Sequence, residues 1–322
     1  MNRAARSLAR RDLLRSAGGL IALMAGGSLL GGCGGEEAAA SSEPISFVPG
    51  PGSPAAGAAS PLVIAKPETS WLNFALVMQY VGAQFYTLAA SGVGVPPGLQ
   101  GGIGVQGVVQ GGRRVAFVDP DLAQYIGEFG VDQVAVLTDI RARLGPAAAA
   151  QPAIDLSTDA FGALGRATKL GGQFDPFAGD TEFLIGGLIV EHAVSGAYRS
   201  MLTTEVAGTA EVVLTKAMGD SIYRTSLIRA LLAAKAEADP ALASTLASVF
   251  AALARLEASP TSQEPQSTDQ ASSSVSDGDG QPVPLTRSAN EVFRLLYLNA
   301  AGASGGLLPL GVNGIDLLPG MQ

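Results

Sequence analysis

The sequence predicts an all-α protein built as a helical bundle, and three features lead there. Trp71–Ala90 is a run of 20 residues that is apolar on nearly every face and carries no charge, the pattern of a helix surrounded by other helices. Further along, apolar residues recur three and four positions apart with no sustained alternation, which is the helical period. Helix punctuation is also plentiful: Asp119-Pro120, Leu144-Gly145-Pro146, Asp239-Pro240, and Ser288 followed by Glu291. These are an N-cap with proline behind it, a glycine stop, a second proline start and a capping box. The expected architecture is a four-helix bundle with an additional C-terminal docking helix and long Gly/Pro-rich loops.

The elements follow in order. The first helix is expected to start on Glu68, Thr69 or Ser70 as cap and to run through Ala90. Ser91 to Gly112 is Gly-rich and uncharged; a phosphate cradle would need a Gly-Lys-Ser/Thr ending after a strand, so this stretch reads as a loop. A second helix spans 120–144, and Ile154–Leu164 reads as a short helix. Asp180 opens a third long helix through Met201, and Thr209 a fourth to Ala236. Asp239-Pro240 restarts the chain to Leu256. Residues 258–286 are a polar, low-complexity insert for which no structure is expected. Ser288 and Glu291 then precede Val292, Phe293, Leu295 and Leu296 as a docking helix. Strands are not required anywhere.

Composition narrows the function. The 322 residues are 47% hydrophobic and hold 42 glycines and 19 prolines, enough for one sizeable core with long connections. Five of the 20 basic residues and one of the 28 acids fall in residues 1–32, leaving 15 bases against 27 acids and a net −12 for the remainder. That charge disfavours nucleic acid as a partner. The single cysteine makes no internal disulfide, and no Cys/His cluster has zinc spacing.

The N-terminus reads as an address. Arg3, Arg6, Arg10, Arg11 and Arg15 precede an apolar run from Leu20 to Leu30 and small residues before Cys33, and that run is too short for a stable membrane span. Arg10-Arg11-Asp12-Leu13-Leu14-Arg15 resembles the twin-arginine export motif. Leu30-Gly31-Gly32-Cys33 resembles the bacterial lipobox, which implies lipidation of Cys33 as the mature N-terminus. The chain therefore divides into a signal peptide (1–32), a Gly/Ala/Ser/Pro tether (33–66), the bundle (67–257), the insert (258–286) and a C-terminal helix and tail (287–322). An exported lipoprotein facing the periplasm is expected, attached to the membrane through its lipid. Gly34 in place of an aspartate favours the outer membrane over the inner.

Several landmarks in order carry a family resemblance. They are Leu72-Asn73-Phe74-Ala75-Leu76 with Tyr80, Phe85 and Tyr86; Gly111-Gly112-Arg113-Arg114 through Asp119-Pro120; Phe174-Asp175-Pro176-Phe177 with Phe183, Glu191 and Ala197-Tyr198; and Tyr297-Leu298-Asn299 with Gly305 and Asn313-Gly314. On these the chain resembles the desiccation-related branch of the ferritin-like proteins from about Trp71 to Gly314, apart from the insert. The resemblance implies a ferritin-type four-helix bundle. Members that do chemistry hold two metal ions with one glutamate from each of two helices and a Glu-x-x-His pair from each of the others. At the corresponding positions this chain has Gln79, then Gln133 and Val136, then Glu191, then Ser221 and Arg224. An amide is a weak ligand, valine is none, and arginine brings positive charge where a cation would sit.

No catalytic residue and no cofactor are expected, and the chain reads as a non-catalytic structural or protein-binding module whose partner is another envelope protein. Arg224 is expected to fill the vacancy by a two-pronged pair with Glu191, assisted by Gln79 and Gln133; the alternative leaves Glu191 and Arg224 at helix edges in water. His192, the only histidine, points about 100° away from Glu191 on a helix and reads as structural. Ser195, Ser221 and Asp139 offer no triad spacing. The alternative function is a metal-binding or redox protein using iron or manganese at an atypical site around Glu191, with His192, Glu128 or Asp132. A further alternative makes Trp71–Ala90 a membrane span, against which its Asn73, Gln79 and Gln84 argue.

Overall fold

A computed structural model of the chain describes residues 67–194, 196–203, 209–257, 274–276, 282–284 and 286–312. The export motif, Cys33, the tether, Ser195 and Asn313-Gly314 lie outside the described residues.

Helix α1 (Pro67–Ser91) is the axis of the molecule. Leu72, Phe74, Leu76, Tyr80, Phe85 and Tyr86 are all buried along it, so it is covered on every side. It packs most extensively along α2 (Pro120–Leu144), and α4 (Asp180–Val194), α5 (Ala197–Thr203) and α6 (Thr209–Ala238) complete the bundle. A short α3 (Thr158–Ala167) lies between, α7 (Pro240–Glu257) packs on α6, and α8 (Ala289–Leu296) lies against α4 and α7. An aromatic cluster closes one end of the core, with Phe85 stacked on Phe183 at 4.7 Å and Phe177 against both. Among the described residues no helix is long and apolar enough to cross a membrane.

Local signals set most boundaries. Asp119 accepts from the N–H groups of Asp121 and Leu122 at the head of α2, ahead of Pro120. Ser288 and Glu291 form the full capping box on α8. The first helix differs: it begins at Pro67, so Glu68, Thr69 and Ser70 lie inside it rather than capping it, and proline occupies its first turn, where a missing N–H is harmless.

Three further departures occur, the first two of them involving residues far apart in the chain. Ile154–Leu156 is a strand, β2, not helix; it pairs in parallel with β1 (Val109–Gly111), and Ile154 and Leu156 bury their side chains while Asp155 between them stays half-buried. Three residues are too few to show a period of two in the sequence. The third bundle helix is two helices, the first ending at Val194 and the second beginning at Ala197. There the Gly196 carbonyl accepts from the Arg287 N–H at 3.2 Å, and the Arg287 side chain packs onto the Gly196 Cα, where a Cβ would have no room. Within the polar insert, Ser274–Ser276 and Pro282–Pro284 form an antiparallel pair, β3 and β4.

Candidate functional site

The four bundle helices deliver polar side chains to one buried point. Glu191 of α4 is fully buried and Arg224 of α6 is 2% exposed. Arg224 Nε donates to Glu191 Oε1 at 2.7 Å, and the Tyr86 hydroxyl from α1 donates to the same oxygen at 3.0 Å. Ser221, one turn before Arg224, donates to Glu191 Oε2 at 3.0 Å. Arg224 meets the carboxylate through Nε on Oε1, so the ion pair is single rather than two-pronged, and Ser221 serves the second oxygen. With its carboxamide oxygen toward the arginine, Gln133 of α2 accepts from Nη2 at 3.0 Å and Nε at 3.2 Å. Gln79 touches the Gln133 carboxamide, donates to the Gln133 backbone carbonyl at 3.0 Å and accepts from the Tyr198 hydroxyl of α5 at 2.9 Å. Gly82 makes this possible, because a Cβ there would collide with the Gln133 carboxamide.

The charges explain the titration behaviour. Burial would lower the Arg224 pKa, but the Glu191 carboxylate, with Tyr86 and Tyr198 beside it, holds it above the ordinary arginine value. Burial, reinforced by Glu191, pushes the Tyr86 hydroxyl well up, so it stays a donor. The carboxylate is thus served by three donors and the guanidinium by a carboxylate and an amide, while Nη1 of Arg224 has no hydrogen-bond partner among the described residues.

Two metal ions do not fit this set. A dinuclear centre needs several carboxylates to neutralise four positive charges. Here Val136 presents buried hydrocarbon, Gln79 and Gln133 present amides, Ser221 a hydroxyl, and Arg224 a cation bonded to Glu191, the one carboxylate. Among the described residues no three His, Cys, Asp or Glu side chains form a metal-sized group. Glu128 accepts from Gln124, while Asp132 acts on Asp220 and Lys216, and neither is among the groups bonded to Glu191. A family model described as a ferritin-like domain matches residues 68–233, from α1 into α6. The chain belongs to the ferritin-like domain family. Comparison with curated proteins and with solved structures returns no match. The match covers the bundle helices that build the polar centre and stops short of α7 and α8.

In this ferritin-like bundle His192 belongs to a second buried cluster. Its Nε2 donates to Glu257 Oε1 at 2.5 Å, and Arg287 donates to the same oxygen through Nε at 3.1 Å and Nη2 at 2.8 Å. Burial would raise the Glu257 pKa, but the bond and charge of His192, together with Arg287, hold it below the usual carboxylate range. Glu257 ends α7 and Arg287 begins the C-terminal segment, so the pair closes the insert at its two ends. Neither residue is singled out by the sequence reading. The available signal was an acid and a base immediately flanking a low-complexity segment.

Proposed function

We propose that this chain is an exported, lipid-anchored ferritin-like protein of the cell envelope in which the metal centre has been replaced by an internal ion pair, and that its role is non-catalytic, structural or protein-binding. One observation carries the reading: at the bundle centre the guanidinium of Arg224 is bonded to the carboxylate of Glu191, so the charge that a metal would compensate is already compensated. The landmark residues from Leu72 to Asn313 support placement in the desiccation-related branch. Arg10-Arg11 and Cys33 support export and lipidation, and Gly34 supports the outer membrane.

Two experiments test it. Elemental analysis of protein purified without chelator is expected to find iron and manganese far below one ion per chain; stoichiometric metal that disappears in Glu191→Ala would establish the alternative metal-binding reading instead. For the address, Cys33→Ala is expected to leave an unlipidated, unprocessed or soluble precursor. Arg10→Lys with Arg11→Lys is expected to retain the protein in the cytoplasm. Unchanged fractionation of both variants overturns the anchor.

A further inference from the structure

A groove of about 670 Å³ lies on the bundle surface between the C-terminal part of α1, the loop after it and the β1 edge. None of the residues lining it is charged or aromatic, in a chain carrying 48 charged side chains. Its wall is a connected set of glutamines. Buried Gln84 donates to Gln151 at 2.6 Å and accepts from the Val95 N–H at 3.1 Å. Gln100 donates to the Val95 carbonyl at 2.7 Å, and Gln106 donates to Gln100 at 3.0 Å. The loop is locked as well: a Cβ at Gly94 would strike Gln84, and one at Gly107 the Ala153 backbone. The groove is therefore preformed.

Its open side is a strand edge. Residues 103–111 run beside 148–156, and Ile154 N–H donates to the Val108 carbonyl at 3.0 Å. With Val109 in register with Ile154, the alternation of a parallel ladder turns the N–H and C=O of Val109 away from β2, toward the groove that Val109 lines. The far edge of β2 is already taken, because Asp155 N–H donates to the Leu307 carbonyl at 3.1 Å. Proteins ordinarily blunt a free edge with lysine, proline or a covering element. The 103–111 segment has neither charge nor proline, and Val105 and Val108 on it are each 77% exposed.

We propose that this groove binds an extended, uncharged peptide segment, which adds a strand to β1 and seats small apolar side chains between Val93, Val95, Pro97, Val108 and Val109. The free backbone groups of Val109 and the outer glutamines meet peptide amides, and the uncharged valine- and proline-lined wall disfavours charged side chains, whose desolvation nothing there would repay. A saccharide would find no aromatic platform, and a phosphate or anionic headgroup would find no cation. None of the residues lining the groove belongs to the polar network at the bundle centre.

Calorimetric titration of the full chain with the capped peptide acetyl-Ala-Val-Ala-Val-Ala-amide tests it. Saturable binding is expected, weakened about tenfold or more when the valines of the peptide are replaced by aspartate, or when the central residue is N-methylated and so loses its strand donor. The exposed-site variant Val93→Asp/Val108→Asp should melt with the wild type yet bind at least about tenfold more weakly. Absence of binding at millimolar peptide, equal binding of the N-methylated or aspartate peptide, equal binding by a normally melting variant, or saturable binding of maltotriose in place of the peptide overturns the proposal.

Discussion

Arg224→Met is expected to destabilise the protein by about 3–5 kcal/mol, because it leaves the Glu191 carboxylate buried with only hydroxyl donors. In a domain of this size that corresponds to a melting temperature lower by roughly 10 °C. Glu191→Gln should hurt by a similar mechanism with the sign reversed, stranding a guanidinium that burial alone would discharge but that arginine chemistry keeps protonated. The double variant, Glu191→Gln/Arg224→Met, removes both charges and keeps an amide where Tyr86 and Ser221 donate. It should therefore unfold at a higher temperature than the worse of the two single variants. The coupling energy from the thermal or urea unfolding cycle is the measurement. Losses that simply add would mean that the ion pair is not what holds the centre together, and that the hydroxyls and amides carry it unaided.

The charge logic of this centre was legible in the sequence, because a glutamate and an arginine assigned to the interior of one bundle have few ways to be buried except together. The hydroxyl partners were not. Tyr86 and Tyr198 look like core aromatics, and only the packing of α1 and α5 against α4 and α6 aims their O–H groups at Glu191 and Gln79. The same division runs through the fold. Boundaries set by adjacent residues, such as Asp119-Pro120 or Ser288 with Glu291, could be read directly. The parting of α4 from α5 could not, because the residue seated on it, Arg287, lies 91 positions after Gly196 and reaches it only through tertiary packing. The β1 and β2 strands escaped for a related reason: each is an extended loop segment that becomes a strand by lying against the other.

The insert clasp gives the second large effect. Arg287→Met is expected to cost about 3 kcal/mol, on the scale of breaking a buried ion pair, and to release the C-terminal segment first, since Arg287 is bonded to buried Glu257 and immediately precedes the α8 capping box. Hydrogen exchange should show α8 losing protection while α1 and α2 keep theirs, the pattern of a locally opened unit. The pH dependence separates the ion pair from simple packing. Because the folded-state pKa of Glu257 is depressed, the native state binds fewer protons than the unfolded state in the interval between the two pKa values, and stability rises with pH there. Its contribution is complete above the ordinary glutamate value of about 4.3 and is lost as the pH falls through the lower folded value. Urea unfolding between pH 7 and pH 3 should thus show a steeper acid loss in the wild type than in Glu257→Gln, which has no carboxylate to protonate. Parallel acid slopes in the two proteins would mean that Glu257 is not held as an ion by His192 and Arg287. A uniform loss of protection in Arg287→Met would mean that α8 is part of the bundle's cooperative core instead of a segment that opens on its own when this buried ion pair is lost.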